Sequence, residues 1–283
     1  MERIAPKRFF LQFEKPFLTV LGIALTALFL FPLYWMIITA IQPPGSAFHE
    51  PVLFPRTLSV NAFIVENAHG ISLATYFKNS VLISLGTTLL TIFLGIPASY
   101  SIARIKSKFT GTLLLVFLIA QMLPSSLILT PLFIIFNKLG LINSYFSAII
   151  ADTTTTIPFT VVVLRTFFKD VPESLEEAAI IDGCGTIGVF TKIMIPICYP
   201  GIIVASIMSL FMSWGDMVFS LTFINKEKMK PLALILYNAM GELGVRWEIL
   251  MAYATIVVAP IVILFVFAQR YMVAGLTTGA VKG

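Results

Sequence analysis

Asp152 and Asp216 are the residues whose surroundings most demand chemistry, because each interrupts a long apolar segment. An ionised carboxylate facing lipid is costly, so each has to meet a cavity or a partner group. Such groups can hold a transported solute, couple to an ion, or tie neighbouring helices together, and residue type alone leaves all three open. Thr153 through Thr156 and Trp214 add hydroxyls and an indole nearby. The other constellations are poorer. His49 and His69 lack the H-x-x-x-H spacing of a catalytic metal site and read as solvated loop residues. Cys184 and Cys198 are too far apart for a paired metal or redox motif and read as packing residues. With no nucleophile–base set beside them, a membrane-embedded enzyme ranks last among the readings.

Gly183-Cys184-Gly185-Thr186-Ile187-Gly188 spells G-x-G-x-x-G. A dinucleotide fingerprint needs a strand before that pattern, within a strand–helix–strand unit. Here the glycines follow an expected helix, so they read as a turn. No G-x-x-x-x-G-K-[ST] occurs, so no P-loop nucleotide site is expected in this chain. Neither a cofactor nor a metal is expected in it.

The elements that carry these residues follow from composition. The chain has 283 residues, 58% hydrophobic and 12% charged, against ~25% charged in a soluble domain. Six apolar segments approach or exceed the ~20 residues needed to cross a bilayer: 17–41, 81–103, 113–136, 145–164, 202–224 and 249–268. Asp152 and Asp216 are the only charged residues inside them. Pro32, Pro97, Pro124, Pro131, Pro158 and Pro260 fall within these spans and should bend them. Residues 42–78, rich in proline, read as a polar connection. The expected architecture is an all-α membrane protein with six transmembrane helices in a single domain. Its parts are an N-terminal segment 1–16, core spans 17–268, a polar loop at about 169–197 and a tail 269–283.

Orientation follows from lysine and arginine. With the N-terminus in the cytoplasm, 12 of the 19 basic residues lie there, and the short loop holding Arg104, Lys106 and Lys108 is the most telling. Both termini are then cytoplasmic, on the same side as the polar loop. Lys226, Lys228 and Lys230 run against the trend. This pattern accounts for the net charge of +5 without nucleic acid, since the basic residues are scattered among loops rather than gathered in a stripe. The same topology puts Asp152 and Asp216 at similar depth, ~10 and ~12 Å from the outer ends of their spans. They would approach a polar chamber there.

The polar loop between spans four and five organises the rest. Pro172 can open a helix, and Ser174 with Glu177 also fits a capping box; both starts stay open. The helix runs through Leu175, Ala178, Ala179 and Ile181, its alanines leaving a low surface for another protein. Gly183 suits a stop that wants positive φ. A second helix runs from Thr186 through Phe190 and Ile193 to Pro196.

Glu177-Ala178-Ala179, Asp182-Gly183, Phe190, Ile193 and Pro196 together resemble the EAA loop of ABC-importer permeases. Asp182 and Phe190, with the end of the chain from Gln269-Arg270-Tyr271 to Gly283, resemble the carbohydrate branch, specifically the smaller maltose-type permease subunit. Where that family often has Trp-Asn-Asp, this chain has Trp214-Gly215-Asp216. The resemblance implies a subunit that forms half of a sugar pathway beside a second homologous permease. It implies two ATP-binding subunits that hold ATP and Mg, and an extracytoplasmic sugar-binding protein. It implies that Glu177, Ala178, Ala179, Asp182, Gly183, Phe190 and Pro196 dock on an ATPase, and that Gly275, Gly279 and Lys282 of the tail lie along it. The setting would be a prokaryotic cell membrane. Asp152, Thr153, Trp214 and Asp216 are the candidates for the substrate pathway. The rival reading is an ion-coupled carrier or channel using Asp152 and Asp216. It leaves the polar loop and tail without a role, and no internal repeat supports it.

Overall fold

The structure is a computed structural model describing residues 6–43, 53–55, 57–64, 70–241 and 246–278, with side chains outside the description at 6–14, 240–241 and 270–278. His49, His69, Gly279 and Lys282 therefore lie outside the described residues. The regular elements among the described residues are all helical, with no strand among them. The chain divides into two compact units, 1–65 with 239–256 and 66–238 with 257–283.

In the first unit α1, Pro6–Ala40, is a single helix despite Pro16 and Pro32. Its middle is apolar and exposed, with Phe29 at 77%. Exposure of that kind suits a helix solvated by lipid rather than water. A short helix α2, Asn61–Ile64, follows a connection held by the Ser59 amide donating to the Ile41 carbonyl at 2.8 Å.

The second unit is built on α3, Leu73–Arg104, and α6, Tyr145–Asp170. They pack closely because α3 offers glycine where α6 offers bulk. A Cβ on Gly86 would lie 2.6 Å from Ile149, and one on Gly95 2.7 Å from Thr160. Small residues at such crossings let membrane helices gain dispersion contact where no hydrophobic drive exists between them. A hydroxyl pair, Thr91 to Thr156 at 2.6 Å, adds polar glue. Gly201 repeats the device on α10, Tyr199–Trp214, where an added Cβ would sit 2.5 Å from the Phe167 ring of α6.

Between α3 and α6 the expected third span is broken. α4, Thr110–Ala120, and α5, Ser125–Lys138, meet at a 99° bend. Pro124 stands extended at the break. The pieces, 11 and 14 residues long, rise ~16 and ~21 Å, too little for either to cross a ~30 Å core. The fifth span is also interrupted: α10 ends at Trp214, and α11, Val218–Phe223, restarts after Gly215–Met217.

Other boundaries shift as well. α3 starts eight residues before the expected 81, so 73–78 belongs to a helix and not to the irregular connection. α6 begins at Tyr145 as expected but continues to Asp170. Beyond α12, Ala233–Gly241, comes α13, Trp247–Thr278, which carries on through most of the segment read as a tail, Gly275 included. Among the described residues, four helices are long and apolar enough to cross a membrane, and up to six spans result if each bent pair is one crossing.

Candidate functional site

The polar loop folds as α7, Glu173–Ile181, a turn, and α8, Thr186–Val189. Pro172 occupies the N-cap position itself, so the upstream start prevails and Ser174 lies within the first turn. Asp182 ends the helix and Gly183 follows at φ +86°. The Gly183 amide donates to the Ile180 carbonyl at 3.0 Å, and the Cys184 amide to the Ala179 carbonyl at 2.9 Å. These two bonds define a Schellman stop, which explains why glycine stands there.

Past α8 the chain makes one wide π-helical turn, Phe190–Met194, and enters α9, Ile195–Ile197. Pro196 was expected to end this helix; instead it stands in the first turn of α9, where its missing N–H costs least. The direction changes two residues later, at Cys198, with a 75° bend into α10.

α7 has two faces with different neighbours. Glu177, Ala178, Leu175, Ile180 and Ile181 are exposed, Ile181 at 84%. Asp182 and Gly183 are exposed beside them, as is Ile187 of α8. Ala179, expected on the open surface, is buried in a cluster with Phe168, Val189, Met194 and Cys198. The low surface is therefore carried by Ala178 alone. Phe190 turns inward, its ring 4.9 Å from that of Tyr100.

Residues that sequence reasoning passed over hold the inner face. Glu176 accepts a hydrogen bond from the Tyr100 hydroxyl at 2.8 Å and another from Arg104 Nε. Arg104 Nη2 also donates to the Val171 carbonyl at 2.8 Å. No local pattern joins positions 72 apart; the one available hint was a second glutamate beside Glu177. Outside this pair, Lys106 donates to Glu173 at 2.8 Å in the open. The hydrogen bond from Lys106 and its charge hold the Glu173 carboxyl below the usual glutamate range, and the same bond raises Lys106. The contact therefore persists between those limits. It is lost as pH falls through the lowered Glu173 value, and again as pH rises through the raised Lys106 value.

The four pathway candidates all have partners within the chain. Asp152 is buried and accepts from Ser213 Oγ at 2.5 Å, while Ser213 Oγ also bonds Thr87 at 3.2 Å. Thr153 folds back on the Ile149 carbonyl of its own helix. Trp214 Nε1 donates to the Val257 carbonyl at 3.1 Å, and its ring meets Phe77 edge-on. Asp216 lies in no helix. Its carboxylate accepts the amides of Val218, Phe219 and Ser220 at 3.0–3.3 Å and starts α11. The break at Gly215 and this cap explain why a carboxylate stands within the fifth apolar segment.

The contrary lysines near 226–230 also find partners. Lys230 pairs with Glu227. The carbonyls of Lys228 and Lys230 accept from Asn79 Nδ2 at 3.0 and 2.9 Å, and Tyr145 holds Asn79 from the other side. Asn143, at φ 61°, accepts the amides of Asn225 and Lys226. No cluster of metal-ligating side chains occurs among the described residues.

The described residues thus form long and bent apolar helices with a helix–turn–helix carried between two of them. Residues 91–278 match the family described as binding-protein-dependent transport system inner membrane component. The chain is 34% identical over 253 residues to the probable ABC transporter permease protein YurM of Bacillus subtilis, covering 89% of this chain and 84% of that one. It is 31% identical over 259 residues to the sulfoquinovosyl glycerol transport system permease protein SmoH of Agrobacterium fabrum, covering 90% and 89%. Its fold matches a chain of a bacterial ABC transporter that imports the acidic polysaccharide alginate, with a TM-score of 0.76 at 18% identity over 96% of this chain and 99% of that one. The chain belongs to this family: it is an ABC-importer permease subunit, a transport component rather than an enzyme. The carrier reading of Asp152 and Asp216 falls with that assignment.

Proposed function

We propose that the cargo is a sugar or a related glycoside, carried between this chain and a second homologous permease. Support comes from the sulfoquinovosyl glycerol for which the Agrobacterium relative is named and from the alginate imported by the structural neighbour. Each bent pair counts as one crossing in this reading, giving six spans with both termini in the cytoplasm. That topology rests on the Arg104–Lys108 loop, which lies beside α7 through the Lys106–Glu173 contact.

The observation that carries the coupling role is the outer face of α7 and α8. Ile180, Ile181 and Ile187 stand exposed on these two helices, with Glu177 and Asp182 exposed beside them. An exposed apolar cluster with a charged rim suits a protein partner, not water. Here the partner is an ATP-binding subunit holding ATP and Mg, one of two in the transporter, with a sugar-binding protein on the opposite side. Gly183 sets the angle between the docked helices, Phe190 and Pro196 set the course of the chain leaving them, and the tail with Gly275, Gly279 and Lys282 lies along the ATPases. Glu177→Cys tests this reading: a short bifunctional reagent should join it to the co-expressed ATP-binding subunit. Failure to join in an assembled complex would remove the docking role.

Asp152, Thr153, Trp214 and Asp216 were candidates for the wall of the pathway. Their bonds favour a second role, bracing: Asp216 starts α11, and Asp152 ties α6 to α10 and, through Ser213, to α3.

A further inference from the structure

The two adjacent glutamates of α7 face different ways, separated by the ~100° turn per residue of a helix and differing in exposure. Glu177 is in the open, whereas the side chains of Glu176 and Arg104 are 14% and 12% exposed. We propose that Glu176, with Arg104 and Tyr100, is the strut through which a movement of α7 is passed into the spanning helix α3. This rests on the reading of α7 as the helix docked on an ATPase.

The geometry joins three elements at one guanidinium. Arg104 ends α3 and bonds both Glu176 of α7 and the Val171 carbonyl at the end of α6. Tyr100, one turn earlier on α3, takes the second carboxylate oxygen. Its ring also lies against Phe190 and Phe168, at 4.9 and 5.6 Å between centroids. A docked helix held only by apolar packing can slide on its neighbour, because dispersion contact is not directional. Charge-assisted bonds to both oxygens of one carboxylate fix direction as well as distance. A buried ion pair is weak evidence for stability, since desolvation offsets much of its attraction; its best-attested use is to specify one arrangement. The Lys106–Glu173 contact nearby is solvated and carries little. Glu176 acts through Arg104 and Tyr100, so it is a positioning residue.

The test uses the whole transporter with its co-expressed permease, ATP-binding subunit and binding protein. Spin labels go on Ser101→Cys of α3 and Ser174→Cys of α7, both exposed, in a Cys184→Ser, Cys198→Ser background. Their separation is measured by pulsed dipolar spectroscopy without nucleotide and with ATP plus vanadate. In the parent the separation should be single and the same in both states. With Glu176→Gln it should stay narrow without nucleotide and shift or split with ATP plus vanadate. The stimulation of ATP turnover by the binding protein should then fall by about tenfold. Tyr100→Phe, which removes one oxygen and leaves the packing, should move both readouts the same way by less. Unchanged separations in both variants would overturn the strut. Equal broadening in both nucleotide states would also overturn it, leaving only a structural brace. If Glu176→Gln fails to assemble, Tyr100→Phe decides alone, and parent-like readouts in it reject the proposal. A Glu177→Cys variant that never joins the ATPase overturns the docking reading and the strut with it; a joined Glu177 with an ATP-insensitive Glu176→Gln overturns the strut alone.

Discussion

Gly183 carries the sharpest single-residue requirement in the polar loop. Its φ of +86° closes α7 with bonds to Ile180 and Ala179, and no atom lies within 4 Å of the place a Cβ would take. A Cβ there would meet no clash, so the penalty at that atom is one of backbone conformation. Gly183→Val should strain the turn by roughly 1–3 kcal/mol and swing α8 away from α7. The expected outcome is a complex that loses ATPase coupling or falls apart on purification, while Gly185→Ala, at an ordinary φ, changes little. Normal coupling in Gly183→Val would contradict this account of the turn. This residue was readable in the sequence, because a glycine stop after an apolar helix has a local cause. Glu176 was not, because its meaning comes from Arg104 and Tyr100, which reach it only after α3 and α7 are packed. Ala179 failed for the same reason: the EAA triplet reads as one patch in the sequence, but a helix of that length must turn one of three neighbours inward.

Breaks in the elements decide the role of the two carboxylates. An apolar segment of the right length reads as one span, and its hydropathy does not mark where the helix gives way. Pro124 was a visible warning for the third span; for the fifth, the glycine before Asp216 was the sole hint. Once α10 ends at Trp214, Asp216 becomes a cap with three backbone donors, and Asp152 becomes the partner of the serine just before that end. Asp216→Ala should therefore lower stability by about 1 kcal/mol, the usual worth of a lost cap. Asp152→Asn keeps a bond to Ser213 and should cost less. Thermal unfolding of the complex in detergent, set beside uptake at a range of substrate concentrations, separates bracing from cargo contact. A changed apparent affinity at full stability would return both residues to the pathway wall.

At the scale of the whole molecule, the class was legible because membrane solvent imposes so much. Charges are expelled to loops, spans need about twenty apolar residues, and basic residues collect on one side. What remained hidden was the geometry of closeness: Gly86, Gly95 and Gly201 look like ordinary span glycines until Ile149, Thr160 and Phe167 are seen against them. The central claim is that this chain couples ATP hydrolysis elsewhere to the movement of a sugar. Its most direct test is ATP hydrolysis in lipid by this chain assembled with its neighbouring permease, ATP-binding subunit and binding protein, measured against a panel of sugars and oligosaccharides. The account predicts a stable complex whose hydrolysis is stimulated by one glycoside and not by the rest. An assembled, active complex indifferent to every sugar would contradict the cargo, and a chain that joins no ATP-binding subunit would contradict the coupling itself.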